Sequence, residues 1–212
     1  CIDRDDYNLL MTHIRIRSAY DMVYDLNGDG GVNRADARTM VSLFTNPRGE
    51  QCPDDPTTLA IGDSYQGGII FWLDASGEHG LIAAAADQSS GVRWYAGTDG
   101  ITRATGDGLY AGEANTAIII AAQVAIGDDG SDYAAQICND LQIIQGAVTY
   151  GDWYLPSKYE LNLLYLQKTV VGGFANNFYW SSTEFDNYAA WDQLFAIGNQ
   201  SGNYKNYGYG YV

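Results

Sequence analysis

Between Asp25 and Asp36 the chain reads D-L-N-G-D-G-G-V-N-R-A-D, a run in which oxygen-bearing side chains recur at fixed intervals. A twelve-residue cation loop takes side-chain oxygens at its first, third and fifth positions, a glycine at the sixth for the sharp turn, a backbone carbonyl at the seventh and a carboxylate at the twelfth. Asp25, Asn27, Asp29, Gly30, Gly31 and Asp36 stand at those places in that order, and Asn33 holds the ninth, where contact often runs through water. Hard oxygen donors at this spacing suit calcium. One Ca2+ is expected, held by Asp25, Asn27, Asp29, the Gly31 carbonyl, Asn33 and Asp36, with a structural role: closing the loop orders the helix expected near Arg34.

The segment is also half of an internal repeat. Ile2-Asp3-Arg4-Asp5-Asp6 aligns with Val32-Asn33-Arg34-Ala35-Asp36, and Leu10, Met11 and Ile14 fall on Met40, Val41 and Phe44, so that two helices share one apolar phase. Only Cys1 and Ile2 precede Asp3, so the first copy lacks the front half of its loop and one calcium is expected rather than two. The aspartate-terminated loop with its duplicated helix resembles the dockerin version of the EF-hand. That resemblance implies a small helical EF-hand/dockerin-like module over residues 1–52. Dockerins bind cohesin domains through two full loop-helix units; with one complete loop, a calcium-stapled connector or stalk is the preferred reading.

Cys1 and Cys52 bracket this module. A bridge between them would close a loop of about fifty residues, worth on the order of 4 kcal/mol in the chain-entropy model, and implies an oxidising, extracellular setting. Cys138 lies in A-A-Q-I-C-N-D-L, among helical apolar neighbours, and is expected to be a buried, inert thiol.

Residues 53–60 form a proline-containing linker, and from Ile61 the composition turns to glycine, tyrosine and tryptophan with few charges. Within 61–212, Ile69 to Leu73 and Gly80 to Ala84 read as strands around D-A-S-G-E-H-G, with Val92 to Tyr95 as a third. Ala114 to Val124 and Tyr133 to Ile143 read as buried helices. Ser157-x-x-Glu160 after Pro156 is a capping box opening a helix over Lys158 to Gln167. Strands follow around Tyr179 to Thr183 and Trp191 to Ala196, then a polar, glycine- and tyrosine-rich tail from Gly198. Trp72, Trp94, Trp153, Trp180 and Trp191 are assigned mainly to the core.

The ordered series G-D-S-Y-Q-G-G-I-I-F-W-L-D at 62–74, H-G-L-I-A-A at 79–84, A-N-T-A at 114–117, D-W-Y-L-P-S-K-Y-E-L at 152–161, Y-W-S-S-T-E at 179–184 and A-W-D-Q-L-F at 190–195 resembles the DUF1566 family, which includes the C-terminal domain of the Legionella collagen-like adhesin. The resemblance implies an α+β, C-type-lectin-like (formylglycine-generating-enzyme-like) fold used extracellularly for adhesion. Family members usually end in a short basic strand, so in this chain a final strand is expected to be missing or supplied differently. Trp191-Asp192-Gln193 departs from the W-N-D triplet of calcium-dependent lectins, and calcium-bridged sugar binding is not expected in this domain.

Charge and residue supply exclude other classes. A net charge of −15, from 26 acidic against 11 basic side chains, would repel nucleic-acid phosphates. No apolar run approaches the length of a membrane span, and the first residues do not read as a signal peptide, as in a trimmed secreted product. Gly62-Asp63-Ser64 has the form of an esterase opening, but the only histidines, His13 and His79, supply no partner for it and no zinc cluster. Asp128-Asp129 adjoins glycines as a solvated turn or a second calcium site. No enzyme is expected.

Recognition is assigned to aromatics instead. Phe185, Tyr188, Tyr204, Tyr207, Tyr209 and Tyr211 sit among Asn, Gly and Ser, which pairs rigid contact area with adaptable hydrogen bonding. Phe185 to Tyr188 and Gly202 to Tyr211 are expected to form one exposed surface for a glycan, an extracellular protein or, in a filament or appendage subunit, another copy of the chain. Trp180 to Thr183 should be interior scaffold beneath it.

Overall fold

The computed structural model describes residues 36, 37, 39 and 59–212. The chain divides into two compact units, Cys1–Leu59 and Ala60–Val212. Of the first, Asp36, Ala37 and Thr39 are helical, with Asp36 and Ala37 buried. The loop residues Asp25, Asn27, Asp29, Gly31 and Asn33, the repeat, and Cys1 and Cys52 lie outside the described residues.

The second unit is α+β. Its first sheet is antiparallel, β1 (Ser64–Tyr65), β2 (Gly68–Leu73) and β3 (Gly80–Ala83) in that order. The β2–β3 turn closes because the Asp74 carboxylate accepts from the Ser76 and Gly77 amides at 3.0 and 2.9 Å, the local bonding that makes Asp a turn residue. Helices α1 (Ala111–Ile126) and α2 (Ala134–Asp140) follow. Next come a hairpin of β4 (Ile143–Gln145) and β5 (Val148–Tyr150), then α3 (Lys158–Leu166) and the short α4 (Lys168–Val171). The second main sheet, β6 (Phe178–Glu184), β7 (Ala189–Leu194) and β8 (Gln200–Tyr204), is antiparallel in sequence order.

That sheet separates two cores. Trp180 and Ala190 face a cluster with Trp94, Ile119, Tyr133, Cys138 and Leu155; Tyr179 and Phe195 face another with Phe71, Leu81, Leu161 and Leu164. Alternation across a pleat requires this division of neighbouring residues. Trp180, Ser181, Ser182 and Thr183 are all buried. The serines are tolerated because each hydroxyl finds a partner: Ser181 Oγ donates to the Trp191 carbonyl at 2.8 Å, and Ser182 Oγ accepts from Asn115 Nδ2 at 3.3 Å.

Several boundaries differ from the sequence reading. Val92 to Tyr95 is not a strand; it makes a single bridge, Val92 to Gly210, while Trp94 is buried whole. The helix expected over Tyr133 to Ile143 stops at Asp140, and Ile143 opens the β4–β5 hairpin, whose loop residue Gly146 has φ 63°. In α1 the buried face holds Asn115, Thr116, Ile119 and Gln123, whereas Ile118 and Val124 are exposed. Polar side chains face inward there because they pin neighbouring loops. Asn115 bonds both backbone groups of Gly106, Thr116 Oγ accepts from the Leu155 amide, and Gln123 Oε1 accepts from the Ala96 amide. The capping box forms as read, Ser157 Oγ accepting from the Glu160 amide at 3.2 Å and the Glu160 carboxylate accepting from the Ser157 amide at 2.8 Å. The same carboxylate accepts from the Gly112 amide at 3.1 Å, so one buried acid caps α3 and the first turn of α1.

Candidate recognition surface

One face of the β7–β8 pair carries Ala189, Trp191 and Gln193 opposite Tyr204, Gly202 and Gln200. Helix α3 covers one end of this face. Gln193 is buried there, its amide donating to Asn162 Oδ1 at 2.9 Å, and Gln200 donates to the Lys158 carbonyl at 2.8 Å. At the other end the face opens. The ring of Phe185 lies over Gly202, where an added Cβ would stand 3.1 Å from it, and meets Trp191 edge-on at 5.0 Å between centroids. Lys158 Nζ sits 4.0 Å above the Trp191 ring and 3.7 Å from Asp107. Phe185, Tyr188 and Tyr204 are 52%, 57% and 71% exposed around this platform.

Its rim is fastened from below. Asp186 Oδ1 accepts from the Tyr188 and Ala189 amides, each at 2.8 Å, fixing the β6–β7 turn. Lys205, buried completely, places its ammonium 2.7 Å from Glu184, 2.8 Å from the Gly100 carbonyl, 3.1 Å from the Asn187 carbonyl and 5.0 Å from the centre of the Trp94 ring. Glu184 in turn accepts from the Thr102 amide and hydroxyl and from the Arg103 amide. All three ammonium protons are used, and the carboxylate has backbone donors besides. This is the condition under which a buried ion pair is tolerated.

The expected single surface is therefore divided. Phe185, Tyr188 and Tyr204 share the open end of the sheet. Tyr207 and Tyr211 are half-buried, packed against the two cores, and Tyr211 lies 5.4 Å from Tyr179. Tyr209 is exposed but meets Tyr207 edge-on, 5.4 Å away between centroids, and Tyr207 meets Phe178 at the opposite end of the sheet. The reason is backbone bonding: Tyr211 donates to Phe178 and accepts from Trp180, Gly210 accepts from Val92, and Val212 accepts from Gln88 and Ser89. The last residues are thus built in beside β6 rather than displayed. Trp191 and Lys158 are the platform residues that the sequence reading missed; Trp191, like Trp72 and Trp153, is half-buried, whereas Trp94 and Trp180 are fully enclosed. A lysine at the first position of a helix, two residues before its capping glutamate, carries no distinctive signal, but an isolated Lys205 in a tail otherwise free of charge does.

Asp192 is buried on the other side of the sheet, with Ser201 and Asn203 donating to its two oxygens; desolvation raises its pKa. Asp129 pairs with Arg93, and the hydrogen bond from that guanidinium draws its pKa down to about 2. Its carboxylate is thus engaged by a cation of the chain itself. Among the described residues no group of three or more His, Cys, Asp or Glu is arranged to hold a metal ion. Ser64 is exposed in β1 and His79 ends the β2–β3 turn, with no contact between them. Cys138 is a free, buried thiol whose pKa burial pushes up to about 12, a setting that suppresses thiolate chemistry. No helix of the described residues is long and apolar enough to cross a membrane. A scan of family models and a search of curated proteins each found no match to this chain.

Proposed function

We propose that this chain is a secreted or surface-displayed, non-enzymatic recognition protein. In this reading a dockerin-like module over 1–52, loaded with one structural Ca2+, precedes a C-type-lectin-like domain of the DUF1566 type that binds a glycan or an extracellular protein. The observation that carries it is the mounting of Phe185, Tyr188 and Tyr204. Large aromatics stand in solvent on a sheet end that is fixed underneath by the Lys205–Glu184 pair and by Asp186. Exposed aromatics on a rigid frame bind with little ordering penalty, and such side chains dominate interface energies.

The test is the combined replacement Phe185→Ala, Tyr188→Ala, Tyr204→Ala, applied to the ligand found on a glycan and protein array. Binding should weaken by more than about tenfold, because aromatic anchors typically contribute at that level, while each exposed change shifts stability by only about 0.5 kcal/mol. Unchanged binding would place the site elsewhere.

Calcium has its own test. Asp36 is helical and buried, as a carboxylate closing a loop onto its helix would be. Calcium at about a thousand times its dissociation constant should stabilise the first unit by about 4 kcal/mol, and Asp36→Ala should remove that dependence in calorimetry with and without chelator. Equal calcium binding by the variant would refute the ligand set.

A further inference from the structure

The outer edge of β8 is built to pair. Lys205 donates its amide to Tyr188 and Leu194 donates to Asn199, which sets the ladder so that odd-numbered residues of β8 bond inward to β7. The backbone groups of Gln200, Gly202 and Tyr204 therefore point away from the sheet. Among the described residues, the one backbone bond made on that side is the Tyr207 amide to the Tyr204 carbonyl.

Natural edge strands are guarded by lysine, proline, bulges or inward-turned charges. Between Gln200 and Tyr204 this one has none of them, and the inward-turned Lys205 stands one residue past its end. No residue from Gln193 through Tyr204 is charged or a proline, and the Asp192 that precedes them is buried. The β7–β8 register runs without interruption from Ala189↔Tyr204 to Gln193↔Gln200. In a chain of net charge −15 two copies repel over most of their surface; near this edge Lys158 is paired with Asp107 and Lys205 with Glu184, and the exposed Asp186 carboxylate is held by the Tyr188 and Ala189 amides.

We propose that this edge is a homodimer interface, in which β8 pairs antiparallel with β8 of a second copy about a twofold axis at Gly202. The edge is self-complementary about that residue. Gly202 exchanges both backbone bonds with its mate, and each Tyr204 amide meets the Gln200 carbonyl of the other copy. On the platform face Tyr204 then lies beside Gln200 of the second copy, and the two Phe185 rings, each lying over its own Gly202, flank the axis. Two three-stranded sheets become one of six strands. Closed twofold pairing of identical patches is the commonest form of self-association. The pairing places two aromatic platforms side by side, so that a repetitive ligand would be held at two points. It adds to the recognition reading without depending on it: a monomer can still bind a ligand, and a dimer can form without one.

Sedimentation of the full chain up to about 1 mM tests the pairing. The expected result is a concentration-dependent monomer–dimer equilibrium. Gly202→Pro, which removes the amide at the axis, and Tyr204→Lys, which adds charge at the edge, should each weaken it by more than about tenfold. Circular dichroism establishes that each variant is folded, and Tyr204→Lys carries the test if Gly202→Pro is not. A wild-type chain that stays monomeric throughout overturns the proposal, including the case in which the edge takes an extended segment of another protein. A dimer that Tyr204→Lys leaves intact overturns it equally.

Discussion

Lys205→Met is expected to lower the stability of the second unit by about 3–5 kcal/mol, the range for breaking a buried pair from one side. The ammonium has no exposed surface and bonds Glu184, the Gly100 carbonyl and the Asn187 carbonyl. Its loss leaves a carboxylate buried with the Thr102 and Arg103 donors but no counter-charge, and leaves two carbonyls without a donor. Denaturant titration should show a lower midpoint with unchanged slope. Adding Glu184→Gln should recover much of the loss, because an amide carries no charge to strand in the interior. A single variant as stable as wild type would show that the pair holds nothing together. Function should follow, since Asn187 lies in the turn between Phe185 and Tyr188.

How legible this was from sequence depends on whether the signal was local. The capping box at Ser157 and Glu160 was readable because both partners lie within one turn and their chemistry is specific. What could not be read is that Glu160 also caps α1 across the fold. The apolar run in α1 misled for a related reason: Ile118 and Val124 look like core, but the positions facing inward were assigned by the loops at Gly106, Leu155 and Ala96 that needed polar partners. Periodicity reports which residues share a face, not which face the rest of the chain requires. The tail was misjudged likewise. Its Gly, Asn and Tyr composition is that of a binding loop, yet Gln200 to Tyr204 is a strand and Gly210 to Val212 is bonded beside β6. Phe185, Tyr188 and Tyr204 were within reach because exposed aromatics near turns are unusual enough to notice. Trp191 was not, since tryptophan in a strand reads as core until its neighbour proves to be a glycine.

The closing residues supply the second large effect. Gly210 is buried against the Trp180 indole, and an added Cβ would stand 2.1 Å from Nε1 and 2.5 Å from two further ring atoms. Such a contact cannot be relieved by turning a flexible side chain: Trp180 is enclosed, and its Nε1 donates to the Val92 carbonyl at 2.8 Å. Gly210→Ala must therefore move either the indole, breaking that bond and disturbing Trp94 and Ala190 behind it, or the chain end, breaking the bonds that Gly210 and Tyr211 make with Val92, Phe178 and Trp180. The expected loss is about 1–3 kcal/mol from overpacking, with more where a buried amide is left unpaired. Near-ultraviolet circular dichroism should report the moved tryptophan, and exchange of the Val92, Trp180 and Tyr211 amides should quicken together. The exposed Gly208, with open space at its Cβ position, is the control: Gly208→Ala should leave both readouts near wild type. Equal behaviour of the two variants would mean that the chain end does not lie against Trp180, and the division between displayed and built-in tyrosines would fall with it.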